Sequence, residues 1–300
     1  MHISALNKGD TVGIVVPAGK INEEVLLKGR QVIESWGLKV KLGKHCYAID
    51  KNYLAAPDAD RLDDLQQMLD DKSIVAIFCG RGGYGTTRIL DQLDFEKFVR
   101  NPKWIIGFSD ITALHLKIHQ LGFQSIHGCM PSQYSKPEYE ESVESLRQIL
   151  FANSHPIIAE KGNSYNRNGI GKGQVIGGNL SLLADSLGTA SAPDTTGKIL
   201  IVEEVDELRY KIDRMMMQLK RAGKLSQLSG LVVGHMTNLK DTERPFNFTM
   251  EEIMLDKVSE YSYPVAFNFP IGHEAPNLAW RYGASATLLV DGDTSSLTFD

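Results

Sequence analysis

An α/β fold built on parallel strands is what this chain of 300 residues predicts. Three observations carry that expectation. Short apolar runs alternate with longer amphipathic stretches, the signature of buried strands covered by helices. The pattern stops near the middle of the chain and then starts again, which suggests two units. The composition, 42% hydrophobic and 23% charged with no low-complexity segment, is that of a soluble globular protein.

The elements follow in order. TVGIVVPA (11–18) reads as a first buried strand and EEVLLKGRQVIESWG (23–37) as a helix. LKVKLG then precedes the helical ADRLDDLQQMLDD, and SIVAIFC precedes a glycine loop and a further helical stretch. KWIIGF (103–108) leads into ITALHLKIHQLG, and QSIHG closes the series. Residues 159–174, AEKGNSYNRNGIGKGQ, are rich in Gly and Asn and poor in apolar periodicity, which marks a linker. The expected organisation is therefore a domain over 1–155, a linker over 156–173 and a second domain over 174–300. In the second domain KILIVEEV, GLVVGHM and VAFNFP read as strands, YKIDRMMMQLKRAG and TMEEIMLDKVSEY as helices, and ASATLLVDGDTSSLTF as a closing hairpin.

Charge and cysteine usage narrow the function. The net charge of -5 without a concentrated basic stripe argues against a nucleic-acid partner. The first twenty residues lack the basic start, long apolar core and small-residue cleavage site of a secretory signal, and no apolar run is long enough to span a membrane. Cys46, Cys79 and Cys129 are odd in number and widely spaced, which fits neither a disulfide framework nor a zinc ribbon. A reducing cytoplasm is the expected location.

Five motifs bear on chemistry. CGRGGYG (79–85) places Gly80, Gly82 and Gly85 in a literal G-x-G-x-x-G. A dinucleotide site competes here with a plain structural turn. The motif follows the third strand rather than the first, and TTRILDQL lacks the small residues that pack a long helix onto the sheet. Loop amides of this kind stabilise an oxyanion as readily as a phosphate. KWIIGFSDIT ends a greasy run on Ser109, read either as a helix cap or as a nucleophile on a strand-to-helix turn. The G-x-S of a nucleophile elbow is present, with Ile111 where its second glycine would stand.

A serine nucleophile needs a base and a carboxylate. His115 and His119, four apart in HLKIH, share a helix face, but Leu116 stands where a zinc peptidase has glutamate, and no metal is expected. His127 and His235 follow short strands and read as structural. His273 lies in FNFPIGHEAPN, a loop past a strand, where sites on α/β sheets gather. Glu203 and Glu204 end the strand KILIVEEV. Ser109, Glu203 and His273 then stand in the nucleophile–acid–histidine order.

With IVVPAG, RGGYG, IIGFSDITALH, GGNLSLL, IVEEVDELRYKIDRMMMQL, GHM and FPIGHEAPNLA in sequence, the chain resembles the LD-carboxypeptidases, serine peptidases also called muramoyltetrapeptide carboxypeptidases. Glu204 departs from the aspartate expected at that position. The resemblance implies a flavodoxin-like, class I glutamine amidotransferase-like N-terminal domain and a C-terminal swivelling β/α domain, with the triad divided between them. It implies Ser109 as nucleophile, His273 as general base and Glu203 as orienting carboxylate. The backbone N–H of Asp110 and of Gly82 or Gly83 would meet the oxyanion, and Arg81 the product carboxylate. It further implies a homodimer that uses no cofactor or metal, acting in the cytoplasm on murein tetrapeptides during peptidoglycan recycling. A same-family peptidase or amidase acting on peptide-nucleotide antibiotics is the nearest alternative, and a non-catalytic muropeptide- or nucleotide-binding protein a more distant one.

Overall fold

The computed structural model describes residues 3–47, 53–152, 157–292 and 294–300. The chain forms two compact units, Met1–Ser154 with Leu278–Arg281, and His155–Asn277 with Tyr282–Asp300.

The first unit alternates strand and helix as its sequence predicts: β1 (Thr11–Val15), α1 (Glu23–Ser35), β2 (Lys39–Leu42), α2 (Asp58–Asp70), β3 (Ile74–Cys79), α3 (Thr86–Leu90), α4 (Glu96–Arg100), β4 (Trp104–Gly107), α5 (Thr112–Gln120), β5 (Ser125–His127) and α6 (Glu140–Ala152). The strands run parallel in the order β5-β4-β3-β1-β2. Buried Ile14, Phe78, Ile106 and Ile126 form one continuous core with Leu26 and Ile33 of α1. Each strand is short and apolar because helices cover the sheet, so little alternation with polar residues survives. The side chain of Asn22 caps α1 through the amides of Glu24 and Val25.

The second unit contains β6 (Ile158–Lys161), β7 (Gly169–Asn179), α7 (Leu180–Asp185), β8 (Ile199–Val205), α8 (Arg209–Arg221), β9 (Gly230–Thr237), α9 (Met250–Lys257) and β10 (Val265–Ala266). The chain then lends β11 (Trp280–Tyr282) to the first sheet, next to β5, before closing with β12 (Ser285–Val290) and β13 (Thr294–Phe299). The second sheet runs β10-β9-β8-β7-β12-β13-β6, parallel through its first four strands and antiparallel beyond.

One expectation is corrected. Residues 158–161 and 169–173, assigned to a linker, are β6 and the first half of β7. The glycines there report crowding, not looseness: a Cβ on Gly171 would lie 2.0 Å from the Ser229 carbonyl oxygen. A strand that passes this close to another backbone has to use glycine, and the apolar signal is lost with it. The boundary expected at 155/156 lies outside the described residues.

Cys46, Cys79 and Cys129 are buried free thiols. Burial pushes Cys46 up to about 12, so it stays protonated. Among the described residues no helix is long and apolar enough to cross a membrane.

Candidate active site

The Ser109 corner is set by the main chain. β4 is buried throughout, Phe108 is extended, and Ser109 then takes φ 62°, the left-handed region that non-glycine residues rarely occupy. Residues Ser109–Ile111 make one 3₁₀ turn, and α5 begins at Thr112. The cap positions of these elements are Phe108 and Ile111, and neither supplies a side-chain cap. The turn leaves Ser109 partly exposed between two buried neighbours. Ile111 explains the departure from the usual elbow: its side chain fills the space over Gly107, where a Cβ would come within 2.9 Å of it.

His115 stiffens this corner from behind. It is fully buried, with Nε2 2.9 Å from the Gly107 carbonyl and Nδ1 2.7 Å from Ser125 Oγ. A carbonyl can only accept, so Nε2 carries the proton and Nδ1 accepts from the serine. Burial lowers its pKa to about 4, which keeps the ring neutral. In HLKIH, then, His115 is committed to the end of β4, and His119 is the more exposed of the two.

The RGGYG loop backs onto Ser109. A Cβ on Gly82 would stand 2.8 Å from Ser109 Cβ, 3.0 Å from its Oγ and 3.4 Å from the Asp110 nitrogen. Gly19 N–H donates to the Gly82 carbonyl at 2.9 Å, which fixes that peptide plane. Asp110 is buried, and its Oδ2 accepts from Thr86 N–H at 2.8 Å, tying the Ser109 turn to the start of α3. Burial raises its carboxyl above the ordinary aspartate range despite that bond and the nearby charge of Arg61. Arg81 is exposed and donates from Nη1 to the Lys20 carbonyl at 2.6 Å.

Arg61 belongs to the same corner and was not singled out from the sequence. It is 2% exposed and donates to the carbonyls of Ala56 (3.0 Å), Gly85 (2.9 Å) and Pro17, and to Asp58. One guanidinium thus joins the segment after β1, the approach to α2 and the end of the glycine loop. A signal existed: Arg61 shares the buried stripe of α2 with Leu65, Met68 and Leu69, where a charge is out of place.

In the second unit a side-chain pair dominates. His273 Nδ1 lies 2.6 Å from Glu203 Oε2, and the Glu203 side chain is wholly buried. Burial pulls the imidazole pKa down, but the charge and hydrogen bond of Glu203 outweigh it and hold His273 above the usual histidine value. With the Nδ1 proton given to Glu203, the lone pair of the neutral ring sits on Nε2. Gly272 makes the approach possible, since a Cβ there would meet Glu203 Oε2 at 3.1 Å. Asn277 Oδ1 accepts from Gly272 N–H at 3.0 Å and anchors the loop.

Glu204 has other work. Its Oε1 accepts from Asn179 Nδ2 (2.9 Å) and Val205 N–H (2.9 Å), and its Oε2 from the amide (2.8 Å) and hydroxyl (2.6 Å) of Ser181. It fastens the start of α7. The pairing of β8 with β9 shifts between Val202 and Glu204: Val202 faces Val233, while Glu204 faces Met236, so β9 carries an extra residue at Gly234–His235. From that bulge His235 N–H donates to the Ile271 carbonyl at 2.8 Å, and His235 Nδ1 accepts from Glu274 N–H at 3.3 Å. His235 therefore supports the loop of His273 from both sides. Burial lowers its pKa, so it does so as a neutral ring.

Of the other expected histidines, His127 is buried and stacks on Trp280 at 5.0 Å between ring centroids. The ligand atoms of His45, Asp63 and Asp64 lie close enough to share a metal. Asp64, however, already accepts from the amides of Lys44 and His45 and lies 3.0 Å from the His45 ring, a local turn that accounts for the grouping.

Comparison with known proteins identifies the family. The family model described as the LD-carboxypeptidase N-terminal domain matches residues 12–128, and that for the LD-carboxypeptidase C-terminal domain matches 172–288. A probable murein peptide carboxypeptidase of Bacillus subtilis is 36% identical over 95% of this chain and 90% of its own length. A muramoyltetrapeptide carboxypeptidase structure from Oxalobacter formigenes superposes with a TM-score of 0.84 at 26% identity, over 96% of this chain and 98% of its own. The microcin C7 self-immunity protein, solved with aspartyl sulfamoyl adenosine, shares the fold with a TM-score of 0.87 at 22% identity, over 99% and 98%. The chain belongs to the LD-carboxypeptidase family of serine peptidases.

Proposed function

We propose that this protein is a serine carboxypeptidase that removes the terminal D-alanine from murein tetrapeptides, with Ser109, His273 and Glu203 as its triad. The 2.6 Å bond from buried Glu203 to His273 Nδ1 is the observation that carries the reading. It supports a ring held in the tautomer of a general base, as a serine mechanism requires. The left-handed Ser109 on a strand-to-helix turn adds independent support.

In this mechanism His273 Nε2 takes the Ser109 proton as Oγ attacks the carbonyl between an L-configured residue and D-alanine. Glu203 steadies the imidazolium. The oxyanion meets the amide of Asp110 and one from the glycine loop, Gly82 or Gly83. Gly83 is the better choice of the two, because a trans peptide points its C=O and N–H in opposite directions and the Gly82 carbonyl is turned to Gly19. His273 then protonates the leaving amine, and water cleaves the acyl-enzyme. Arg81 offers its remaining guanidinium N–H groups to the D-alanine carboxylate. The same reading makes the enzyme a cytoplasmic homodimer serving peptidoglycan recycling.

Mass spectrometry of a purified tetrapeptide stem tests this directly. The expected product is one alanine lighter at its C-terminus, with a stem ending in L-alanine processed about 10²-fold more slowly because inversion misplaces the bound carboxylate. An intact tetrapeptide alongside a cleaved aminoacyl sulfamoyl nucleotide would move the assignment to the antibiotic-inactivating branch.

A further inference from the structure

The two amides assigned above to the oxyanion come from different segments of the first unit. Asp110 lies in the turn after β4, and Gly83 in the loop after β3. Such a pair stabilises an oxyanion only when its spacing is fixed before the reaction begins. Pairing of β3 with β4 fixes the strand ends, but Gly83 lies beyond the last residue of β3. The contacts of the loop itself have to place it.

Two peptide planes of that loop are held. The Gly82 carbonyl accepts from Gly19 N–H at 2.9 Å, which turns the Gly83 N–H to the opposite side. The Gly85–Thr86 peptide is gripped at both ends. Its carbonyl accepts from Arg61 Nη1 at 2.9 Å, and its N–H donates to Asp110 Oδ2 at 2.8 Å. Asp110 is 1% exposed and Thr86 fully buried, so water does not compete for that bond. Across the same peptide, buried Arg61 sets a positive charge opposite the carboxylate. Asp110 thus meets the proposed hole twice. Its own N–H is one donor, and its side chain grips the segment that carries the other.

We propose that the Asp110 carboxylate is the strut of the oxyanion hole, a positioning residue that fixes the Gly83 amide relative to its own. This rests on the serine-peptidase reading above and adds a residue to it. In this role the side chain touches no reacting atom. It acts through Thr86 and the glycine loop, and Arg61 holds the far side of the same peptide.

The test compares Asp110→Ala with Asp110→Asn on the full chain. Alanine removes the acceptor, whereas asparagine keeps an oxygen for Thr86 N–H and removes the charge. Asp110→Ala should lower kcat on the tetrapeptide by about 10²- to 10³-fold, the effect of losing one oxyanion donor, with KM within about threefold of wild type. Asp110→Asn should recover kcat to within about tenfold of wild type. A second readout does not need the peptide. Ser109 Oγ attacks a fluorophosphonate at phosphorus, fluoride leaves, and the charge on the phosphoryl oxygen falls in the same hole. The labelling rate should fall in parallel with kcat in Asp110→Ala and recover in Asp110→Asn. A residue that serves folding alone would lower the unfolding midpoint and leave kcat and labelling of the folded enzyme near wild type; that result would overturn the proposal. Asparagine as impaired as alanine would overturn it too, because the charge and not the bond would then matter. If Asp110→Ala does not fold, Asp110→Ser, polar but too short to reach Thr86, takes its place with the same expectations. A wild-type enzyme labelled at Ser109 that leaves the tetrapeptide intact fails the substrate reading, and the labelling rates then judge the strut by themselves. With neither labelling nor hydrolysis, both readings fall.

Discussion

Ser109 is presented by main-chain geometry, with a left-handed φ, a 3₁₀ turn and glycines that let a second loop come within contact distance. His273 is positioned by side chains, through a buried carboxylate, an anchoring Asn277 and a bulge that sends His235 under the loop. The two corners should therefore fail differently. Backbone geometry tolerates a changed side chain and suffers from an added Cβ. A side-chain pair tolerates small shifts of backbone and suffers when a charge is removed.

The largest effect belongs to Ser109, the proposed nucleophile. Ser109→Ala should fold normally and lose about 10⁴-fold or more in turnover of the tetrapeptide. Activity within tenfold of wild type would remove Ser109 from the mechanism.

Glu203→Gln follows, at about 10⁴-fold, the loss seen when a related triad loses its carboxylate. It should also move the pH profile. His273, the proposed base, can act only when neutral, so kcat/KM should fall as pH drops through its pKa, which Glu203 holds above the ordinary histidine value. Without that charge, burial prevails and the acidic limb moves to lower pH. Stability has the opposite dependence. A raised folded pKa stabilises the protein fully below the unfolded value of about 6.5 and ceases to do so as pH rises through the folded value. An acidic limb that stays in place in Glu203→Gln would mean the pair does not set it.

The two corners also differed in how much the sequence disclosed. The glycine loop and the serine turn were legible because backbone constraints select residue types, and RGGYG and GFSD record them. The choice between Glu203 and Glu204 was not. Their neighbours along β8 are equally apolar on both faces, so hydrophobicity carries no information, and the deciding contacts with Asn179, Ser181 and His273 come from distant parts of the chain. Arg61 was easy to pass over because three of its partners are carbonyls, which leave no trace in side-chain identity. The linker expected at 156–173 failed because glycine demanded by crowding looks the same as glycine in a loose loop. The strand–helix alternation on either side of it was plain, since buried parallel strands admit little else.

Gly82→Ala should cost about 10²-fold. The new Cβ has to displace Ser109 by something near an ångström, and misplacement of that size has that cost in a positioned reaction. Glu204→Gln should fall by about tenfold at most in turnover, because it holds the start of α7 rather than the imidazole. If Glu204→Gln proves the dead variant and Glu203→Gln the active one, the side-chain corner is assigned to the wrong glutamate.

The smallest effect separates strain from chemistry at one residue. Holding a non-glycine residue at a left-handed φ costs about 1–2 kcal/mol, and glycine there is free of that cost while giving up about 0.5–1 kcal/mol to the freedom it gains in the unfolded chain. Ser109→Gly should therefore be more stable than Ser109→Ala by about 0.5–1 kcal/mol, with both equally inactive. Alanine keeps the Cβ and so keeps the strain. Denaturant unfolding of the two variants, compared at equal m values, reads the difference. Ser109→Gly less stable than Ser109→Ala by about 0.5–1 kcal/mol, the cost of glycine's freedom alone, would show that Ser109 rests in its turn without strain, and that the elbow is held by Gly107, Ile111 and His115 alone.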